Sequence, residues 1–330
     1  MNRFAVITPK DLAGASKLLT EPDRHALAGG IDLLDRMKQG IDHPEELISL
    51  KASDVSDKIH QDRAGMTRIG ALTTLADIET NPAIRAQYPA LAQSAGEAAT
   101  PQIRNRATAG GNLLQRPRCW YYRNPDVPCL KKGGSRCYAV TGLNRYHAIL
   151  GGGPSFIVHP SNLAPALIAL GATVVLSGPT GTRRVELELF FVPPRVDPRR
   201  ENVLEPGEIL TEIILPATPR GSNSVYLEAR EKQSFDWPLA SAAVFLTPTS
   251  SGVIQSARIV LGAVAPIPWR SPQAEEAIRG HRVDAAVASR AAEAALKPAA
   301  PLSDNRYKVP IAKTLLRRAI LLAAGVREET

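Results

Sequence analysis

The apolar and polar positions near the start of the chain change period in a way that predicts alternating strands and helices. Phe4 to Ile7 is a short apolar strand, and Thr8 can cap the helix after it, with Pro9 at the first position and Asp11 in the first turn. Leu12, Ala15, Leu18 and Leu19 then recur at helical spacing. His25 to Ala28 reads as a second strand, Gly29-Gly30 follows at once, and Ile31 to Gln39 reads as the next helix with Leu33, Leu34 and Met37 inward. Strands separated by helices predict parallel pairing.

A second unit begins near Asp57. Arg68 to Ala71 reads as a strand, Thr73 or Thr74 as the cap of a helix through Ile78, and Ala83 to Ala99 as one helical stretch. From Gln115 to Gly153 no period is visible. Phe156 to Val158 is apolar, Ser161 caps a helix through Leu170, and Thr173 to Leu176 is a β-branched and aliphatic strand. Pro, Arg, Gly, Ser and Asn cluster at 218–224 and predict a boundary. Beyond it, Val225 to Ala229, Ala240 to Thr247 and Ile254 to Val264 read as strands. Helical patterns follow at Pro272 to Arg279, Ala285 to Leu296 and Pro310 to Ala324. Strands first and helices after predict an α+β unit.

Composition adds limits rather than a function. The chain has 330 residues, of which 44% are hydrophobic and 22% charged, so whole-chain disorder is excluded. No apolar run reaches the roughly 18 residues of a membrane span; the best, Ala164 to Leu176, is broken by Pro165 and Gly171. Pro9, Lys10 and Asp11 break the first apolar stretch, so no signal peptide is expected. On its own sequence the chain is expected to be cytoplasmic, with a periplasmic place open to it through co-export with a partner that carries a signal.

Two glycine pairs and one cysteine group are the candidate chemistry. Gly29-Gly30 lies between a strand and a helix, where backbone N–H groups and a helix N-terminus can hold a diphosphate without a basic side chain. It is also what any tight turn would need, and the dinucleotide fingerprint spacing is missing. Thr108-Ala109-Gly110-Gly111-Asn112 repeats the theme with a hydroxyl and an amide beside it. Two such loops in separate units suggest two jaws on one dinucleotide. All 3 cysteines, Cys119, Cys129 and Cys137, fall in the irregular stretch with spacing C-x9-C-x7-C. Thiolates so spaced can wrap a metal or an iron–sulfur cluster, or be ordinary cysteines of a basic loop. Arg116, Arg118, Arg123, Lys131, Lys132, Arg136 and Arg145 surround them, and positive charge stabilises thiolates. With Trp120, Tyr121 and Tyr122 the same stretch can be read as a nucleic-acid surface, but no reading module accompanies it, and nucleic acid is not an expected partner.

Three segments together identify a resemblance. Leu27-Ala28-Gly29-Gly30-Ile31-Asp32-Leu33-Leu34, Ile69-Gly70-Ala71-Leu72-Thr73-Thr74 and Ala107-Thr108-Ala109-Gly110-Gly111-Asn112 resemble the FAD-binding subunit of molybdenum hydroxylases of the xanthine dehydrogenase and carbon monoxide dehydrogenase type. The likeness continues through Gly207-Glu208-Ile209-Leu210, Phe235 to Val244, and Leu315-Leu316-Arg317-Arg318-Ala319, so it spans nearly the whole chain. Arg118-Cys119-Trp120-Tyr121-Tyr122-Arg123 with the two later cysteines is similar to the periplasmic aldehyde oxidoreductase branch, which carries an extra 4Fe-4S cluster on this subunit.

The resemblance implies an α+β protein: a bilobed FAD-binding domain of the vanillyl-alcohol-oxidase (PCMH) type, then a small C-terminal domain of three strands and helices. The lobes are expected at 1–56 and 57–219, with the cysteine loop at 115–153, and the last domain at 220–330. It implies that Leu27 to Leu34, Thr108, Gly110, Gly111, Asn112, Asn162, Ile209 and Leu210 bind FAD, and that Cys119, Cys129 and Cys137 hold the cluster. A large molybdenum-cofactor subunit, a small 2Fe-2S subunit and an external electron acceptor are the implied partners, in a heterotrimer or its dimer. The chain departs from the pattern in three places. The fourth cluster cysteine is missing near Ser155 or Phe156, with His147 and Ser155 as substitutes; Asn162 stands where relatives often have Asp; Glu228 stands where a lysine is common. Asp236 is a candidate neighbour of the flavin ring or an ordinary structural residue. A stand-alone FAD oxidoreductase, and an FAD subunit without the cluster, are the alternatives.

Overall fold

Three sheets organise the described residues, one purely parallel and two antiparallel. The computed structural model describes residues 1–232 and 235–327. The first lobe contains β1 (Ala5–Ile7), α1 (Leu12–Leu18), β2 (Arg24–Leu27), α2 (Ile31–Lys38) and β3 (Glu46–Ser49). Its strand order is β1-β3-β2, all parallel, as the alternation predicts. The cap of α1 differs from expectation. Asp11, not Thr8, accepts the Gly14 N–H at 2.7 Å, and the helix starts after Pro9. An aspartate cap satisfies a first-turn amide with a full charge, which Thr8 cannot match.

Strand β3 has no counterpart in the sequence reading, yet it is the centre of the sheet. Leu47 and Ile48 are both fully buried, on opposite faces: Leu47 packs with Leu33 and Met37, and Ile48 joins the large core of the second lobe. Four residues buried on both faces show no alternation, so the pattern carried no strand signal.

The second lobe begins with β4 (Ile59–Gln61) and β5 (Thr67–Gly70). Short helices follow: α3 (Leu75–Thr80), α4 (Pro82–Gln87), α5 (Pro89–Gly96), α6 (Pro101–Arg104), α7 (Ala109–Leu113) and α8 (Trp120–Arg123). Then come α9 (Leu163–Ala169), β6 (Thr173–Gly178), β7 (Gly181–Glu186), α10 (Leu187–Phe190) and β8 (Ile209–Leu215). The sheet order is β4-β5-β8-β6-β7, antiparallel throughout. The expected single helix from Ala83 to Ala99 is two helices, because Pro89 cannot continue one and starts another. Ser161 does cap α9, its hydroxyl accepting the Ala164 N–H at 3.0 Å.

The C-terminal domain carries β9 (Asn223–Ala229), β10 (Ala240–Pro248), β11 (Ile254–Gly262) and β12 (Trp269–Arg270), in order β12-β11-β10-β9. The sheet therefore has four strands rather than three; the extra strand is a two-residue edge paired to Val260 and Leu261. Helices α11 (Pro272–Ile278), α12 (Ala285–Leu296) and α13 (Lys308–Ala323) follow. Both faces of this sheet are covered. Ala242 and Val244 belong to the core under α11 and α13, whereas Tyr226, Ala243 and Val260 belong to the core of the second lobe. Replacing the central Ile48 by Ala should cost about 2–5 kcal/mol and lower the urea midpoint; an unchanged midpoint would show that β3 is not a core strand.

Candidate functional site

The two glycine loops meet. A Cβ on Gly29 would stand 2.1 Å from the carbonyl oxygen of Arg106, just ahead of the second loop, so only glycine permits the contact. Gly30 is the residue before α2 and has φ +79°, the left-handed region that favours glycine. No side chain caps α2, which leaves its first-turn amides free for a ligand.

The second loop is built differently. Ala109 N donates to Thr73 O, Gly110 N to Ala71 O, and Asn112 N to Thr108 O. The Thr108 hydroxyl accepts the Gly111 N–H at 3.2 Å. These amides are thus engaged inside the protein, and the glycines contribute a wall without side chains. A Cβ on Gly111 would meet only the Thr108 hydroxyl, at 2.9 Å. Asn112 is buried, and its oxygen accepts the Ser161 hydroxyl at 2.6 Å and the Leu163 N–H at 3.3 Å, tying α7 to α9.

Both loops open on one cavity of about 1320 Å³. Residues 28–34, Thr108, Gly110, Gly111, Asn112, Asn162, Ile209 and Leu210 all line it; Leu27 is packed behind the wall with Leu33 and Met37. Sequence reading missed other parts of the wall. Ala99 lines it with φ +50°, a strained value for a residue with a Cβ. Arg104 holds that backbone, donating to the Ala99 carbonyl at 2.9 Å while its Nε meets Glu79 at 2.8 Å. Nothing in the identity of an alanine signals this. Phe235 and Trp237, both exposed, stand at the cavity rim with Asp236.

The cysteine loop packs onto the first lobe chiefly through the carboxylates of Asp32 and Asp35. Asp32, in the first turn of α2, receives Arg123 at 2.7 Å, Arg118 at 3.0 Å, Arg36 at 3.5 Å and the Arg116 N–H at 3.1 Å. Burial resists the Asp32 charge, but the three guanidiniums and the amide together hold its pKa below the ordinary carboxylate value. Arg118 and Arg123 also reach Asp35, and Arg116 and Lys131 share Glu201. The Arg118 guanidinium lies 4.7 Å over the Trp237 ring.

The basic residues therefore do not serve the thiols as expected. Cys119 is pushed up to about 11, first by burial, with the Cys137 and Cys129 thiols adding to it and the amides of Tyr122 and Tyr121 opposing. Its sulfur lies 3.2 Å from His147 Nε2. Burial lowers His147 to about 4, and its Nδ1 meets no partner. The three thiols thus share a neighbourhood, but among the described residues no three His, Cys, Asp or Glu side chains are grouped to hold a metal ion. No helix among the described residues is long and apolar enough to cross a membrane.

The FAD binding domain in molybdopterin dehydrogenase matches residues 2–218, and the CO dehydrogenase flavoprotein C-terminal domain matches residues 224–323. The aldehyde oxidoreductase FAD-binding subunit PaoB of Escherichia coli (strain K12) is 36% identical, over 94% of both chains. The carbon monoxide dehydrogenase medium chain of Hydrogenophaga pseudoflava is 30% identical, over 96% of both. A solved structure of carbon monoxide dehydrogenase from Hydrogenophaga pseudoflava superposes with a TM-score of 0.78 at 29% identity, covering 98% of each chain.

Two tests follow from the site. Gly111→Val should fold, by circular dichroism, yet purify without flavin, since its side chain has only the cavity to enter; normal flavin absorbance would count against the cavity. Asp32→Asn should destabilise by about 3–5 kcal/mol, as expected when one partner of a buried ion pair is removed. Because the folded Asp32 pKa is depressed, this stability is complete above the unfolded value of about 4 and is lost as pH falls through the folded value. Melting curves of variant and wild type should therefore converge on acidification. A gap that persists at the lowest pH would refute the charge as its source.

Proposed function

Because the chain belongs to the FAD-binding medium-subunit family of the xanthine dehydrogenase and carbon monoxide dehydrogenase type, we infer that the cavity between its glycine loops is where FAD is held. The protein is an FAD-dependent oxidoreductase subunit, and its task in such complexes is electron transfer. The observation that supports the placement is the Gly29–Arg106 backbone contact, which brings two side-chain-free walls onto one cavity. In this reading the uncapped first turn of α2 offers N–H groups to the diphosphate, and Gly110 and Gly111 allow close approach. Thr108, Asn162, Ile209 and Leu210 border the remainder of the cofactor. Bound FAD supplies the chemistry by taking up single electrons and giving them as a pair. This chain's residues position it, shield it and set its electrostatics.

The partners in this reading are a molybdenum-cofactor subunit, where the substrate is oxidised, and a small 2Fe-2S subunit that delivers electrons, in a heterotrimer or its dimer. An external acceptor drains the flavin. Substrate recognition then lies on another chain.

Cys119, Cys129 and Cys137 are the candidate ligands of a 4Fe-4S cluster. Their shared neighbourhood and the amides directed at the Cys119 sulfur favour this. His147, buried with one nitrogen beside Cys119 and the other unpartnered, is the nearest substitute for the missing fourth cysteine. Cys129→Ser should then lose iron and acid-labile sulfide while flavin content stays near wild type. Iron equal to wild type, or no iron in the anaerobically purified parent, would leave an FAD subunit without a cluster.

A further inference from the structure

One polar chain in the cavity wall has no part in holding a diphosphate. It starts at Asn162, at the entry to α9, and ends at Glu97, just after α5; both residues line the cavity. Glu228 and Arg230 join them. Asn162 Nδ2 donates to Glu228 Oε2 at 3.0 Å, and the Tyr226 hydroxyl donates to the same oxygen at 2.8 Å. The other oxygen of Glu228 takes the Arg230 guanidinium, which also reaches the Glu97 carboxylate at 2.9 Å. The Glu228 side chain is 2% exposed, so this is a buried carboxylate one hydrogen bond behind the wall.

A carboxylate can only accept hydrogen bonds. Glu228 therefore fixes which end of the Asn162 amide it faces. The NH2 group is committed inward, and the carbonyl oxygen is the group that Asn162 offers at the wall. Burial pushes the Glu228 carboxyl up, while the Tyr226 hydroxyl, Arg230 and the Asn162 amide pull it back. Arg230 supplies the counter-charge that a buried carboxylate requires.

We propose that Glu228 is a positioning residue for the flavin: it makes Asn162 a hydrogen-bond acceptor for an N–H or O–H of the cofactor, and with Arg230 it sets the local charge against which the flavin is reduced. The proposal rests on FAD occupying the cavity. Reduction adds electrons to the flavin, so a buried negative neighbour opposes it. Removing that charge takes a negative neighbour away from the site and favours the reduced form.

The flavin midpoint potential, read by spectroelectrochemical titration of the protein as it purifies with its flavin, tests this. Glu228→Gln should raise the potential by the equivalent of about a tenfold shift in the two-electron equilibrium, about 30 mV. Glu228→Asp keeps the charge and should stay close to wild type. A merely structural role would leave both potentials alone or disturb the shorter Asp at least as much. Asn162→Ala leaves Glu228 in place but removes the acceptor, and should raise the FAD dissociation constant about five- to tenfold. An unchanged potential in flavin-replete Glu228→Gln overturns the proposal. Unchanged FAD affinity in Asn162→Ala overturns it as well, and that arm decides if Glu228→Gln does not fold. Folded wild-type protein that neither purifies with flavin nor takes it up overturns the cavity reading itself, so the two failures are distinguishable.

Discussion

The architecture depends on a backbone resting on a backbone. Gly29 lies between β2 and α2, and the carbonyl of Arg106 sits where its side chain would be. That approach lies where a parallel three-stranded lobe packs on an antiparallel five-stranded one, alongside the shared core at Ile48, and the cavity opens there. Any larger residue would set its Cβ 2.1 Å from that oxygen and force the loops apart. The two loops then divide the work. The first leaves amides unspent, because α2 begins without a side-chain cap. The second spends its amides on Ala71 and Thr73, just after β5, and on Thr108, and offers bare surface.

Charge fastens the third component to this frame. Asp32 stands in the first turn of the helix that borders the cavity, and it collects guanidiniums from the cysteine loop. The same arginine that grips Asp32, Arg118, also lies over Trp237 at the rim. The cysteine stretch, the helix of the first glycine loop and the rim are therefore one mechanical unit. The arginines are spent on these carboxylates, and burial of the Cys119 sulfur raises its pKa rather than lowering it.

What could be read from the chain itself follows from how local each signal is. The strand–helix alternation of the first lobe, the glycine pairs and the later strands of the C-terminal sheet are local patterns, and they were legible. Strand β3 was not, because Leu47 and Ile48 face two different cores and show no period. The hairpin of β6 and β7 was half seen, since Gly181–Glu186 is an exposed edge rich in charge. The wall at Ala99 and the chain from Asn162 to Glu97 needed the fold, because their members come from distant segments. The arginines of the cysteine loop were legible as charge but not as partners; the carboxylates of Arg116, Arg118 and Arg123 lie in the first lobe and at Glu201, and that of Arg145 at Glu231.

The C-terminal sheet is clad on both sides, by its own helices and by the second lobe. It therefore cannot be treated as a detachable module. A chimera that borrows this portion from a relative must match two surfaces at once, the inner one contributed by Tyr226, Ala243 and Val260. Natural recombination between such proteins would meet the same restriction, so exchange of whole chains is the easier route to new combinations.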